Sequence, residues 1–291
     1  MRSDMGHSAE VGSEPDQQPA AAAGWRRGLY LALIAIAAGQ AVAQIDSATV
    51  LYSPARWPEN RPPHTPLFSA NDRSRWSTVW SMAERGTYQI DEIIRKPGWD
   101  TIDKVYLGEH FYSSKPPFVA VVATGIYRAV KQAYGYDLST QTHEAVRTVL
   151  LILNALPWII ALFVLSAIVE RYGQSDFARI FAIATAALGT FLTPFLITLN
   201  NHSPAAVAFV FSLAPLLRIG EGSRAWWRFA LAGFFAATCA CCELPAALWG
   251  LIALGLAARA SVRQAALWFI PAALIPLALF FYTNWQAMGG I

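Results

Sequence analysis

The sequence predicts an all-α, polytopic membrane protein, and three observations predict it. Hydrophobic residues make up 55% of 291 positions against 14% charged. The apolar residues fall in blocks near the roughly 20 residues a helix needs to cross a bilayer, instead of being spread along amphipathic patterns. A single long polar interval, 46–115, separates the first block from the rest.

The stretch 1–27 is rich in Ser, Glu, Gln and Ala with little to bury, and reads as a disordered cytoplasmic tail. Trp25-Arg26-Arg27 then precedes the apolar run 28–45, the first transmembrane helix, which by the positive-inside rule leaves the cytoplasm here. Two arginines, a short apolar stretch and Ala41-Val42-Ala43 also fit a secretory signal, but the extension ahead of them and the later spans favour a retained anchor. Further apolar runs cover 116–134, 148–169, 178–199, 203–219, 229–258 and 265–285. The run 229–258 is too long for one span and holds Glu243-Leu244-Pro245, so a break is expected there, giving seven or eight membrane segments. The region 116–291 is therefore a transmembrane bundle, and its stop in a polar turn after a span reads as a truncated fold.

Several function classes fall away at this stage. A net charge of +3, with Lys and Arg scattered at helix ends, does not make a nucleic-acid surface. Cys239, Cys241 and Cys242 all lie inside one apolar segment without a nearby His, which fits helix packing better than a disulfide framework or a metal site.

The interval 46–115 is where chemistry is expected. Pro54, Pro58, Pro62, Pro63 and Pro66 keep its start extended, and 72–85 then reads as a helix. Trp76, Val79, Trp80 and Ala83 form an apolar stripe, which predicts a helix lying flat in the membrane interface with Asn71 and Asp72 at its capped start. Asp100, Asp103, Glu109 and His110 read as solvated loop residues. Outside the loop, Asn200-Asn201-His202-Ser203-Pro204 interrupts two apolar runs, and Glu243 is a carboxylate inside a third. Both His202 and Glu243 are candidates for substrate binding, because polar groups at such depths are costly unless they face a cavity or the interface; Glu243 also fits as a cap on the following half-helix. Counting every run as a full span puts His202 on the side away from the loop, so one segment must be re-entrant if His202 belongs to the site.

Asp72-Arg73-Ser74-Arg75-Trp76, then Gly86-Thr87-Tyr88, then Tyr112-Ser113-Ser114-Lys115-Pro116-Pro117 at the start of the next run together resemble the C-type glycosyltransferases. The likeness is to the branch containing the lipid A aminoarabinose transferases and the protein mannosyltransferases. It implies a glycosyltransferase of the bacterial inner membrane, multi-pass with a cytoplasmic N-terminus, that moves a sugar from a polyprenyl-phosphate donor to an extracytoplasmic lipid, glycan or protein. It places Asp72 as the catalytic base and Arg75, Tyr112 and Lys115 around the donor phosphate. A base fits the need to take the acceptor hydroxyl's proton, and positive charge fits a leaving group that is already a stable phosphate. Arg73 and Ser114 stand where the family has Glu, and without that hard anionic ligand no bound metal is expected. Two other classes compete with this reading. A transporter or lipid flippase would pair polar breaks between two halves, where this chain has Glu243, and a non-catalytic fragment would lack the helices that complete a site.

Overall fold

The computed structural model describes residues 18–52, 55 and 63–288. The greater part of the expected tail and the prolines at 54, 58 and 62 lie outside these residues. The first helix, α1 (Gln18–Ser47), begins ten positions ahead of the apolar run, so Trp25-Arg26-Arg27 lies within it. Alanine at 20–23 offers no helix-breaking residue there.

The loop folds around α2 (Ala70–Glu84), whose N-cap Ser69 accepts the Asp72 N–H at 3.1 Å. The apolar stripe expected to face the membrane interface meets protein instead. From Ser74 to Ser81 every residue is buried, and Trp76 and Trp80 are 0% and 3% exposed, packed in the protein's core rather than in lipid. The loop also holds a short antiparallel hairpin of β1 (Lys104–Leu107) and β2 (His110–Ser113) in a chain that is otherwise helical, as expected. Gly108 and Glu109 both have positive φ, 56° and 69°, as a two-residue turn between twisted strands requires.

The run 116–134, expected to be the second span, forms the third helix, α3 (Phe118–Tyr134), of 17 residues. Its buried residues Ala120, Ala123, Thr124, Tyr127 and Val130 recur at three and four, the stripe of a helix packed on one face. That face lies along α2, and the second half of α3 is tied to it: Tyr127 donates to Glu84 at 2.9 Å, Lys131 pairs with Glu84 at 2.7 Å, and Arg128 donates to the Met82 carbonyl at 2.6 Å.

The remaining helices form a bundle: α4 (Thr142–Tyr172), α5 (Asp176–Leu188), α6 (His202–Gly220), α7 (Trp226–Cys242), α8 (Leu244–Ala260) and α9 (Val262–Ala287). Among the described residues five helical stretches are long and apolar enough to cross a membrane, namely Gly24–Ser47 in α1, α4, Asp176–Phe195 around α5, α6 and α9. The helices α7 and α8 are apolar but shorter, and the 17-residue α3 belongs to neither group. The break expected at Glu243 is present, a short 3-10 turn at Leu244–Ala246.

Among the bundle helices α7 is central, packing on α6, α8 and α9. Its Gly233 meets the backbone of α9, where a Cβ would lie 2.2 Å from the Phe269 carbonyl oxygen. Because backbone must move to admit a methyl group, Gly233→Ala is expected to cost ~2 kcal/mol or more, read as a lowered Tm in detergent, while Gly250→Ala, whose Cβ would meet only the Ala236 carbonyl oxygen at an ordinary 3.9 Å, leaves Tm nearly unchanged.

The two ends of the bundle differ. At one, Arg26 bridges Glu170 at 2.6 Å and Asp176 at 2.8 Å, and Arg171 forks onto Glu221 at 2.6 and 2.7 Å. At the other sit α2, the hairpin and the polar breaks between helices.

Candidate functional site

The loop end is organised by the turn between α5 and α6. Asn154, in a π-helical step of α4 and 1% exposed, donates to the carbonyls of Leu196 at 3.0 Å and Thr198 at 2.9 Å. Asn200 donates to the Phe195 carbonyl at 2.6 Å and accepts the Ser203 N–H at 2.8 Å. These amides fix a non-helical stretch whose backbone groups would otherwise be left unpaired.

Asp72 joins this turn to the loop. One carboxylate oxygen accepts the Leu199 N–H at 2.7 Å and the other the Phe68 N–H at 2.8 Å, and the residue is 1% exposed. Burial pushes its carboxyl up to about 7, against the opposing pull of those two N–H groups and of Arg75. Asp72 is thus placed as a clamp, with both oxygens engaged by backbone.

Arg75, one turn on, is also buried and donates to the Asn201 side-chain oxygen at 2.5 Å. Burial draws its guanidinium below the usual arginine range, opposed by the carboxylates of Asp72, Glu243 and Asp103. The Asn201 amide nitrogen in turn donates to Glu243 Oε1 at 2.6 Å and to the Cys242 carbonyl at 3.0 Å. The Glu243 side chain makes no capping bond to the helix that follows it, and the same Oε1 meets Nδ1 of His202. The sequence's difficulty over His202 is resolved by these contacts, which place His202 and Glu243 with Asp72 and Arg75 at the loop end.

The second group lies on the other flank of α2. Ser74 donates to the Asp103 carbonyl at 2.6 Å and shares a 2.6 Å hydrogen bond with Ser113, which accepts the Lys115 N–H at 3.1 Å. The Lys115 ammonium pairs with Asp103 at 3.3 Å. Tyr112 and Lys115 line a cleft of about 210 Å³ with Thr78, Tyr88, Ser114 and Asn284. The adjacent wall residue Pro117 leads to Phe118, which lines an apolar groove of about 380 Å³ with Val207, Phe211, Phe235 and Ile275.

Two residues hold this arrangement together that sequence reasoning did not single out. Asn201 bridges Arg75 to Glu243, and Asp103, expected to be solvated, is half-buried and faces both Arg75 and Lys115. Asn201 stood in a polar string already marked as a break, but its neighbour His202 had the stronger chemical signal. Asp103 gave no signal, since its partners are 28 residues before it and 12 after it in the chain. Among the described residues no group of three or more His, Cys, Asp and Glu is placed to hold a metal ion. No family model, no curated protein and no solved structure matches the chain.

Proposed function

We propose that this chain is a membrane glycosyltransferase that takes a sugar from a polyprenyl-phosphate donor at the loop end of the bundle. The observation that carries the reading is the junction of two unlike surfaces at Pro117 and Phe118: a hydroxyl-lined cleft with a lysine on one side and an apolar groove between helices on the other. A donor of this class has the same two parts, a sugar phosphate and a long hydrocarbon tail. Lys115 meets the phosphate as a point charge, the hydroxyls of Tyr112 and Ser114 serve its oxygens or the sugar, and Arg75 raises the local positive potential from behind. The resemblance of the two loop motifs to the C-type glycosyltransferases supports the same substrate class.

In this reading α1, α4, α5 with its following turn, α6, α7, α8 and α9 each cross the membrane, and α3 stays at the loop-side surface. The turns after α1, α5, α7 and α9 then fall on one side, where the polar contacts above also lie. Arg26, Arg27, Arg171, Arg218, Arg224 and Arg259 fall on the other, which supports a cytoplasmic N-terminus in a bacterial inner membrane and an extracytoplasmic acceptor.

The test uses the full chain in nanodiscs with undecaprenyl phosphate as a binding probe and radiolabelled undecaprenyl-phosphate hexose and pentose as donors. Wild type is expected to bind the probe and release sugar to an acceptor or to water, and Lys115→Ala to weaken binding tenfold to a hundredfold, the loss of one charge-assisted phosphate contact at ~1.5–3 kcal/mol. Equal binding by wild type and Lys115→Ala, or a wild type that turns over neither donor, contradicts the reading.

A further inference from the structure

We propose that His202 takes the proton of the acceptor hydroxyl, with Glu243 as the residue that positions it; this rests on the transferase reading above. The resemblance gives the base role to Asp72. The geometry gives Asp72 other work: both of its oxygens are held by backbone N–H groups, and at 1% exposure it leaves no face for a substrate oxygen. A general base must come within about 3 Å of the proton it removes.

His202 is placed differently. Its side chain is 55% exposed, its Nδ1 lies against Glu243 Oε1, and its ring stands edge-on to Phe195 with centroids 5.2 Å apart. A carboxylate on one ring nitrogen fixes the tautomer that carries hydrogen there and leaves a lone pair on the other nitrogen, Nε2. Glu243 is itself held, since its Oε1 receives the Asn201 amide, and Asn201 is anchored by Arg75 and by the Cys242 carbonyl. The chain Arg75, Asn201, Glu243, His202 thus runs from the buried interior to a half-exposed imidazole. Each member fixes the next.

In the step, the acceptor oxygen forms a bond to the anomeric carbon of the sugar while His202 Nε2 accepts its proton. The bond from that carbon to the phosphate oxygen breaks, and its electron pair leaves on the polyprenyl phosphate, whose charge faces Lys115. The imidazolium is stabilised by Glu243 and later returns its proton to water. No oxidant, metal or further reactant is needed.

Two measurements test the assignment. Transfer from the labelled undecaprenyl-phosphate donors is measured for wild type, His202→Ala, His202→Gln and Glu243→Gln, with and without added imidazole. Both His202 variants are expected to lose 10²–10⁴-fold in kcat with undecaprenyl phosphate binding retained, and imidazole to restore part of the rate to His202→Ala. Glu243→Gln is expected to lower kcat about tenfold with little change in KM. Independently of turnover, carbethoxylation of His202 followed by mass spectrometry is expected to slow severalfold in Glu243→Gln. Wild-type transfer with fully active His202 variants overturns the assignment and leaves the transferase reading standing; a wild type without transfer overturns both. An unchanged carbethoxylation rate in Glu243→Gln overturns the positioning role of Glu243.

Discussion

Asp72→Ala is expected to destabilise the folded chain by about 2–6 kcal/mol, because two buried backbone N–H groups, of Phe68 and Leu199, lose their acceptor together at roughly 1–3 kcal/mol each. Asp72→Asn costs about half as much, since its amide oxygen still satisfies one N–H while its NH₂ faces the other. The difference between wild type and Asp72→Asn also depends on pH in a defined direction. Burial raises the Asp72 carboxyl from 3.8 to about 7, so between these values the folded state binds a proton that the unfolded state does not. The associated stability is fully present below pH 3.8 and is lost as pH rises through 7, with a slope of at most about 1.4 kcal/mol per pH unit. Melting profiles in detergent from pH 4 to 8 are therefore expected to fall more steeply for wild type than for Asp72→Asn, and hydrogen exchange at the Leu199 amide to accelerate in both variants. Parallel profiles would remove the clamp from the account.

The second large effect is at Arg75. Arg75→Met removes a buried cation that faces Asp72, Glu243 and Asp103 and leaves the Asn201 side-chain oxygen without this donor. Removing one partner from a buried charge network leaves the others uncompensated, and a loss of about 3–5 kcal/mol is expected. Adding Glu243→Gln to Arg75→Met should recover part of it, because one of the stranded carboxylates is then neutral. Arg75→Lys should recover less, since an ammonium lacks the planar fork that reaches Asn201. Chemical denaturation of the three variants checks this ordering; additive losses in the double variant contradict it.

The apolar blocks made the membrane helices legible, because spanning length and composition are properties of the sequence itself. The breaks at Asn200 and at Glu243-Leu244-Pro245 were legible for the same reason, since polar groups and proline cannot be hidden in such blocks. What the sequence did not disclose depends on distant partners. The run 116–134 is apolar enough to resemble a span until Tyr127 and Lys131 are seen to bind Glu84, more than forty residues earlier. Trp76 and Trp80 carry the same stripe whether lipid or protein covers them, and the hairpin at 104–113 was masked by its single weak turn signal, Gly108-Glu109. Within the site, Asp72, Arg75, Tyr112 and Lys115 drew attention through a motif resemblance, and His202 and Glu243 through the cost of burying charge. The bond that connects the two sets is made by Asn201, an amide whose importance lies wholly in where the fold puts it.

That the loop and the helix breaks share one side is the claim on which the site stands, and sidedness can be measured directly. In a chain with Cys239, Cys241 and Cys242 replaced by alanine, single cysteines are placed at the exposed positions Glu109, Pro245 and Arg224 and treated with a membrane-impermeant maleimide on intact spheroplasts. Glu109→Cys and Pro245→Cys are expected to label from outside, and Arg224→Cys only after permeabilisation. Labelling of Pro245→Cys together with Arg224→Cys, and apart from Glu109→Cys, would place Glu243 and His202 across the membrane from Lys115 and contradict the account.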